Sequence, residues 1–169
     1  LFVGDNGTNS KLISQTISGP IRGGKANTIT HGVNVPMVAY WPSTIQNSRT
    51  YHGLVNFNDF YATFSDILNV SDDSDGKSMM DILTKEKQLK RDIVTIYYDS
   101  KWGKNKYRNA FSQNKRYKLY KNGNFFDMEK DILERSPLLE NELSKDQKLI
   151  KKMLASDLSN FPDVPLIKK

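Results

Sequence analysis

The spacing of apolar positions in the first part of the chain predicts two short strands. Residues 1–3 (LFV) are apolar and are expected to end a buried strand. Residues 36–42 (PMVAYWP) form a second apolar run bounded by prolines, which favours another short strand. The stretch between these runs is polar and rich in glycine, so we expect it to be a loop.

A helix is predicted after the second strand. Asn56 and Asp59 lie three residues apart, as in a helix start signal. The apolar residues of this segment recur at helical spacing, and they are Phe57, Phe60, Tyr61, Phe64, Ile67 and Leu68. We therefore expect a helix whose apolar face packs against a core.

The second half of the chain predicts an antiparallel unit and a closing helix. Residues 91–99 contain the apolar run IVTIYY, which favours a strand. The dipeptide 122–123 (Asn-Gly) separates two alternating segments and is a strong hairpin signal. Ser144 and Gln147 form a capping box before an apolar periodic segment, so a last helix should begin there and close near Pro162.

This order of elements predicts an α/β fold. We expect residues 1–85 to be the distal part of an α/β domain and residues 86–169 to be a small α+β subdomain, with the seam within residues 72–90. With 169 residues, the chain could bury one ordinary core, or one medium domain with a small appendage.

Composition and charge narrow the class of protein. The formal net charge of +6 and the pI near 9.4 favour an anionic partner: nucleic acid, acidic polysaccharide, anionic lipid, or a sulfate or phosphate ester. No apolar run approaches the roughly 20 residues that a membrane helix needs. The absence of cysteine excludes a disulfide framework, a thiolate zinc site and a cysteine nucleophile within these residues.

Two acidic segments could bind a metal. Asp5 and Asn6 offer a carboxylate and an amide oxygen just past a strand end, and such oxygens suit a hard cation. Calcium takes about 6–8 oxygen ligands, so other residues would have to complete the site. A simple Asn-Gly turn is the alternative. Residues 71–78 are also acidic, but they lack calcium-loop spacing and are expected to form a solvated turn.

Three further segments could bind an anion or transfer a proton. Residues 22–25 (RGGK) could form an anion-binding loop or an exposed Gly-Gly turn. His31 and His52 are the only histidines, and each could serve proton transfer or be merely structural. Residues 101–121 carry eight Lys or Arg, no acid and several aromatics. That segment could grip nucleic acid or sugar rings, or form a half-buried hairpin.

The order of these motifs resembles the distal half of a formylglycine-dependent sulfatase of the arylsulfatase type. The resemblance rests on residues 5–7 (DNG), 22–25 (RGGK) and 30–36 (THGVNVP), and then on the helix start at 59–63 (DFYAT). It continues through the turn at residues 75–78 (DGKS), the strand entry at 91–92 (RD) and the hairpin at 115–134 (KRYKLYKNGNFFDMEKDILE). The resemblance covers the chain up to about residue 155.

The resemblance implies an alkaline-phosphatase-like α/β/α sandwich and assigns roles to particular residues. Asp5 and Asn6 would bind a calcium ion, and Lys25 would contact the sulfate and stabilise charge during catalysis. No family role transfers onto His31, which we predict as a local substrate contact. The formylglycine, a modified Cys or Ser, and two more metal carboxylates are expected upstream of Leu1, so the chain alone should be inactive.

The function predicted from the sequence is hydrolysis of sulfate esters of sulfated sugars or polysaccharides, together with an N-terminal part of the same protein. A phosphoester or phosphonate hydrolase of the same fold and a non-enzymatic polyanion-binding module are the alternatives. Nucleic acid is not favoured as a partner, and no membrane span is expected. The resemblance implies a secreted or periplasmic location.

Overall fold

The computed structural model describes residues 1–17, 19–85, 87–99 and 108–163. A mixed α/β architecture, as predicted, is confirmed, with a single 3-10 turn at Glu140–Glu142 among the described elements. In chain order the strands and helices are β1 (Phe2–Val3), β2 (Ile13–Thr16), β3 (Gly19–Arg22), α1 (Thr30–Val33), β4 (Met37–Val38), α2 (Asn58–Leu68), α3 (Met80–Lys85), β5 (Val94–Tyr98), β6 (Asn109–Gln113), β7 (Tyr117–Tyr120), β8 (Phe125–Asp127) and α4 (Lys145–Leu158).

The chain forms two compact units. One contains Leu1 and Val38–Val94, and the other contains Phe2–Met37 and Thr95–Lys169. The domain boundary predicted from the sequence, between residues 85 and 86, stays a prediction.

In the first unit, α2 is confirmed, but the prediction that its apolar face is buried is wrong. Phe57, Tyr61 and Phe64 are 48%, 56% and 49% exposed. The buried positions of α2 are instead Asp59, Ala62, Thr63 and Ser65. Helical periodicity therefore predicted the helix correctly, but it did not predict which face of the helix is buried.

Polar bonds fix the buried side of α2. The Asp59 carboxylate is fully buried and accepts hydrogen bonds from the Lys77 backbone N–H at 2.9 Å and from Arg91 Nη2 at 2.6 Å. It also accepts from the Asn56 N–H at 2.7 Å, which is one half of the predicted start signal; the Asn56 side chain accepts the Phe57 N–H instead of the Asp59 N–H. Thr63 Oγ1 accepts from the Met79 N–H at 2.9 Å. These bonds satisfy buried polar groups that would otherwise be costly.

The acidic segment 71–78 is a turn beside α2. Asp72 Oδ1 accepts the Ser74 N–H at 2.8 Å, a local bond that stabilises a turn. A Cβ on Gly76 would lie 2.1 Å from the Asn58 carbonyl oxygen, so only glycine fits there. The turn therefore seats directly against the first turn of α2.

The second unit contains a four-stranded sheet in the order β5-β6-β7-β8. The predicted hairpin is confirmed: β7 and β8 pair antiparallel, with Leu119 opposite Phe125. Gly123 in the turn has φ +91°, a conformation that glycine adopts without strain. β5 was predicted, whereas β6, which pairs antiparallel with β7, was not.

The core of the second unit lies on both faces of β7, all four residues of which are buried. On one face, Phe111, Tyr120 and Phe126 form a cluster. Helix α4 packs against β6 and β7 and buries Leu154 and Leu158. The predicted capping box is confirmed, because Ser144 accepts from the Gln147 N–H and Gln147 accepts from the Ser144 N–H.

The region before β4 differs from the sequence prediction. The expected loop contains a β2–β3 hairpin and the short helix α1. The first strand was expected to be buried, but it is short, pairs with β4, and leaves Phe2 65% exposed. The second strand is confined to Met37–Val38, and Tyr40 is 81% exposed. Across the described ranges, no helix has the length and apolar character to cross a membrane.

Candidate functional site

The loops that carry Asp5, Lys25 and His31 meet through close backbone contacts. The Gly7 N–H donates to the Gly32 carbonyl at 3.0 Å, and the Lys25 N–H donates to the Thr8 carbonyl at 3.0 Å. A Cβ on Gly7 would lie 1.9 Å from the His31 carbonyl oxygen. The three sequence motifs therefore lie next to one another, because glycine lets their backbones touch.

Other glycines of the same motifs are equally constrained. A Cβ on Gly24 would lie 2.7 Å from the Gly32 nitrogen, and one on Gly32 would lie 2.2 Å from the Asn27 carbonyl oxygen. Ala26, directly after Lys25, has φ 71°, which is uncommon for a residue with a side chain. Such backbone conformations persist only where the surroundings enforce them, so the loop after Lys25 has a defined shape.

The oxygen atoms of Asp5 and Asn6 partly fit a hard cation. Asn6 Nδ2 donates to Asp5 Oδ2, and neither Asp5 Oδ1 nor Asn6 Oδ1 is hydrogen-bonded to another described residue. These two oxygens are far fewer than the roughly 6–8 that calcium takes. Within residues 1–17, 19–85, 87–99 and 108–163, no group of three His, Cys, Asp or Glu could hold a metal. The pair fits calcium only as part of a larger ligand set.

His31 and Asn6 share a pocket, whereas Asp5 and Lys25 do not line it. The pocket has a volume of about 260 Å³ and is also lined by Arg22, whose guanidinium donates to the Ser10 carbonyl at 3.0 Å. The rest of its lining is Gly7, Thr8, Ser14, Thr16, Ile21, Gly23, Asn34, Val35 and Pro36. His52 is exposed and belongs to the other compact unit.

Sequence reasoning missed a buried charged cluster beside these loops. Glu134 Oε1 accepts from the Thr30 N–H at 2.8 Å and from Thr30 Oγ1 at 3.0 Å. Lys118 Nζ donates to the same carboxylate at 2.9 Å and to the Thr28 carbonyl at 2.6 Å. The Lys118 and Glu134 side chains are 0% and 2% exposed. A lysine among the apolar residues of YKLY is the sequence signal, but it does not name the partner.

Burial sets the protonation of this cluster. Desolvation lowers the pKa of Lys118 to about 8, against the opposing attraction of Glu134. Burial and the hydrogen bond to Glu134 raise the pKa of Tyr120, so its hydroxyl stays protonated. That hydroxyl lies within hydrogen-bonding reach of Glu134 Oε2 and, at 3.1 Å, of the Thr28 carbonyl. The Glu134 carboxylate thus lies between two hydrogen-bond donors, the Lys118 ammonium and the Tyr120 hydroxyl.

One string with the pattern of a sulfatase nucleophile motif, Ser-x-Pro-x-Arg, occurs within the chain at residues 18–22. The prediction that placed the nucleophile motif upstream of Leu1 did not take this string into account. Ser18 lies outside the described residues. Its neighbour Ile17 is fully exposed, and no atom lies within 4 Å of a Cβ built on Gly19. Arg22 ends β3. The nucleophile upstream of Leu1 stays a prediction.

The basic and aromatic tract 101–121 is a buried hairpin where it is described. Residues 101–107 lie outside the described residues. Phe111, Tyr117 and Tyr120 are 1%, 7% and 6% exposed, so their rings are not available for stacking on bases or sugars. Lys118 is enclosed with Glu134. The hairpin interpretation is confirmed for residues 108–121.

Comparison with protein families places the chain in one of them. Residues 26–161 match the family model described as N-sulphoglucosamine sulphohydrolase, C-terminal. The chain therefore belongs to this sulfatase family, which confirms the resemblance noted in the sequence. No curated protein matched the chain significantly.

Solved structures of sulfatases share the fold. A protein from Bacteroides thetaiotaomicron VPI-5482 assigned as a sulfatase superposes with a TM-score of 0.61 at 23% identity, over 78% of this chain and 30% of that chain. A 2-O GAG sulfatase gives a TM-score of 0.62 at 23% identity, over 79% and 31%. A protein solved in complex with its substrate D-glucosamine-2-N,6-O-disulfate gives a TM-score of 0.61 at 20% identity, over 78% of this chain and 29% of that chain. The chain thus shares the fold of the matching part of these sulfatases and spans about three-tenths of their length.

Proposed function

We propose that this chain supplies part of the metal and sulfate site of an enzyme that hydrolyses sulfate esters of sulfated sugars. The observation that carries the proposal is the meeting of the Asp5, Lys25 and His31 loops through Gly7, Gly24 and Gly32. Membership of a sulfatase family supports the reaction class. The net charge of +6 suits an anionic substrate.

Asp5 and Asn6 would provide oxygen ligands to a calcium ion, with the remaining ligands from other parts of the protein. A bound divalent cation polarises the ester oxygens and offsets negative charge as it develops in the transition state. Both residues are accessible for this role, since Asp5 is exposed and Asn6 is half-buried. Oxygen donors of this kind favour calcium over zinc.

Lys25 would act on the substrate's sulfate group. Hydrolysis breaks the ester bond with one water and yields an alcohol and inorganic sulfate, so negative charge shifts to the departing oxygen. An ammonium group next to that oxygen lowers the barrier. The exposed Lys25 directly precedes a loop of defined shape, and His31 lines the nearby pocket, where it would act as a substrate contact.

The nucleophile would be a formylglycine made from a Cys or Ser upstream of Leu1. The substrate class is inferred from the family's description and from the neighbouring structures, one of a 2-O GAG sulfatase and one holding a disulfated glucosamine. An N-terminal part of the same protein would then be the partner that completes the site. A secreted or periplasmic location remains part of the proposal.

The test is sulfate release from a sulfated glucosamine by the complete protein. Lys25→Ala should lower kcat/KM by about a hundredfold or more, since a fixed charge that stabilises the transition state is worth that much. Lys11→Ala removes a similar exposed charge outside these contacts and should retain activity. Ser18→Ala should also retain activity, because residues 18–22 are not the proposed nucleophile motif. Equal activity of the two lysine variants would contradict the proposed role of Lys25.

Two alternatives predict different results. A phosphoester or phosphonate hydrolase would turn over a phosphate monoester or a phosphonate ester faster than the matching sulfate ester in a side-by-side assay. A polyanion-binding module would release no sulfate and would bind any polyanion with steep salt dependence, unaffected by Lys25→Ala. The buried hairpin aromatics argue against the second alternative for residues 108–121.

A further inference from the structure

We propose that Glu134 is a positioning residue that holds the loop carrying Lys25 and His31 in place. The catalytic consequence of this role rests on the proposed function, but the positioning itself can be measured without turnover. Glu134 lies outside the segments that carry the proposed ligands. Its side chain reaches Thr30 across 104 positions of sequence.

Glu134 supplies the cap that α1 lacks. The residue before the helix is Ile29, which has no side chain able to cap the first turn. Glu134 Oε1 instead accepts both the backbone N–H and the hydroxyl of Thr30, at 2.8 and 3.0 Å. The carboxylate oxygen thereby satisfies a backbone N–H of the first turn, which has no partner within the helix. The helix that carries His31 is therefore fixed by a residue distant in sequence.

The cap is itself held rigidly by the sheet. Lys118 and Tyr120 of β7 both bond to Glu134, and both also reach the Thr28 carbonyl. The Lys118 ammonium lies 4.0 Å from the centre of the Phe111 ring, which encloses it further. A buried charge without its partner is costly, so the Lys118 and Glu134 pair resists separation. The strand β7 thus fixes the backbone at Thr28 and at Thr30.

The fixed segment connects to each loop of the proposed site. The Asn27 N–H donates to the Gly24 carbonyl at 2.9 Å, which links it to the turn before Lys25. The Gly32 carbonyl accepts the Gly7 N–H at 3.0 Å, which links it to the segment after Asp5 and Asn6. Displacement of Thr28–Thr30 would therefore shift all three loops together.

A matched pair of double variants separates positioning from general stability. Glu134→Gln with Lys118→Met removes both charges but keeps a side-chain oxygen for Thr30. Glu134→Ala with Lys118→Met removes the charges and the oxygen. Asp127→Asn is the control, because Asp127 is a buried carboxylate of β8 that pairs with Arg116 at 2.8 Å and does not contact residues 28–30.

The readout is hydrogen exchange of backbone amides in this chain. The amides of Lys25, Gly32 and Asn34, which bond within and between the site loops, should exchange about tenfold or more faster in the Ala pair than in the Gln pair. The sheet amides of Tyr120 and Lys121 should exchange equally in both pairs. In Asp127→Asn, the exchange rates of the sheet amides and of the loop amides should rise together. The proposal would be overturned if, in every variant, the exchange rates of the loop amides changed by the same factor as those of the sheet amides.

A milder variant keeps the test decisive if the Ala pair does not fold. Thr30→Val removes only the hydroxyl that donates to Glu134, and it should speed exchange of the same three loop amides by a smaller factor. No selective change in those amides would overturn the proposal.

Turnover separates this proposal from the proposed function. In the complete protein, the Ala pair should have a kcat/KM for sulfate release about tenfold or more below that of the Gln pair, whereas Asp127→Asn should change mainly the melting temperature. If the wild type releases no sulfate, the proposed function fails while the exchange data still decide the role of Glu134. If exchange differs between the pairs but kcat/KM does not, the positioning has no catalytic consequence.

Discussion

Strand β7 buries every one of its side chains, whereas helix α2 buries mainly polar ones and leaves its apolar stripe exposed. All four residues of β7 are buried, and they pack apolar rings and one ion pair on its two faces. Helix α2 has a clear apolar stripe, yet Phe64 of that stripe is 49% exposed and the polar residue Asp59 is fully buried. Periodicity therefore predicts an element's type more reliably than it predicts which of its faces is covered.

The first prediction sets a buried ring of the sheet against an exposed ring of the helix. Phe125 is 0% exposed and stacks on Tyr117 with ring centres 5.3 Å apart. Phe125→Ala should lower the free energy of unfolding by about 3–5 kcal/mol. Phe64→Ala should lower it by less than about 1 kcal/mol, because the exposed ring loses little burial. Urea unfolding of both variants checks this; similar losses would mean that the α2 stripe is covered in solution.

The second prediction breaks the polar anchor of α2. Asp59→Asn removes the charge that pairs with Arg91, whose side chain is only 8% exposed. The free energy of unfolding should fall by about 3 kcal/mol, because a buried guanidinium is left without its counter-charge. Asp66→Asn, an exposed position on the same helix, is the matched control. If both variants unfold at the same urea concentration, the buried ion pair does not anchor α2.

The third prediction concerns pH and the charged pair under β7. Burial lowers the pKa of Lys118 to about 8, from an ordinary value of 10.5. Between these pH values, Lys118 holds a proton in the unfolded chain that it has released in the folded chain. Its contribution to the free energy of unfolding therefore increases as the pH rises. Tyr120, whose pKa is raised, opposes this above about pH 10, where the unfolded phenol ionises first.

The measurement compares wild type with Glu134→Gln/Lys118→Met at pH 8, 9 and 10 by urea unfolding. The difference in stability should move in favour of the wild type as the pH rises. A constant difference would mean that Lys118 keeps an ordinary pKa in the fold.

Local signals explain most of what the sequence predicted. The Asn-Gly turn before β8 and the Ser144 capping box act through neighbouring residues, so both could be read directly. The β2–β3 hairpin was missed because its turn lacks such a dipeptide and its strands alternate weakly. Helix α1 has only four residues, too few for a periodic pattern.

The candidate site was predictable only in part. Asp5, Asn6 and Lys25 were candidates by their residue chemistry and received their roles through the family resemblance. Glycine contacts bring their loops together. Glu134 could not be found in this way, because its role depends on bonds to Thr30 over 104 positions. The ion pair with Lys118 arises from strand register and burial, which a single sequence does not display.

The proposed metal site is tested by the calcium content of the complete protein after exhaustive dialysis. We expect bound calcium in the wild type, its loss in Asp5→Ala, and its retention in Asp73→Ala, which alters an exposed acid in the turn beside α2. Equal calcium content in Asp5→Ala and the wild type would contradict the assignment of the Asp5 and Asn6 loop as a metal site.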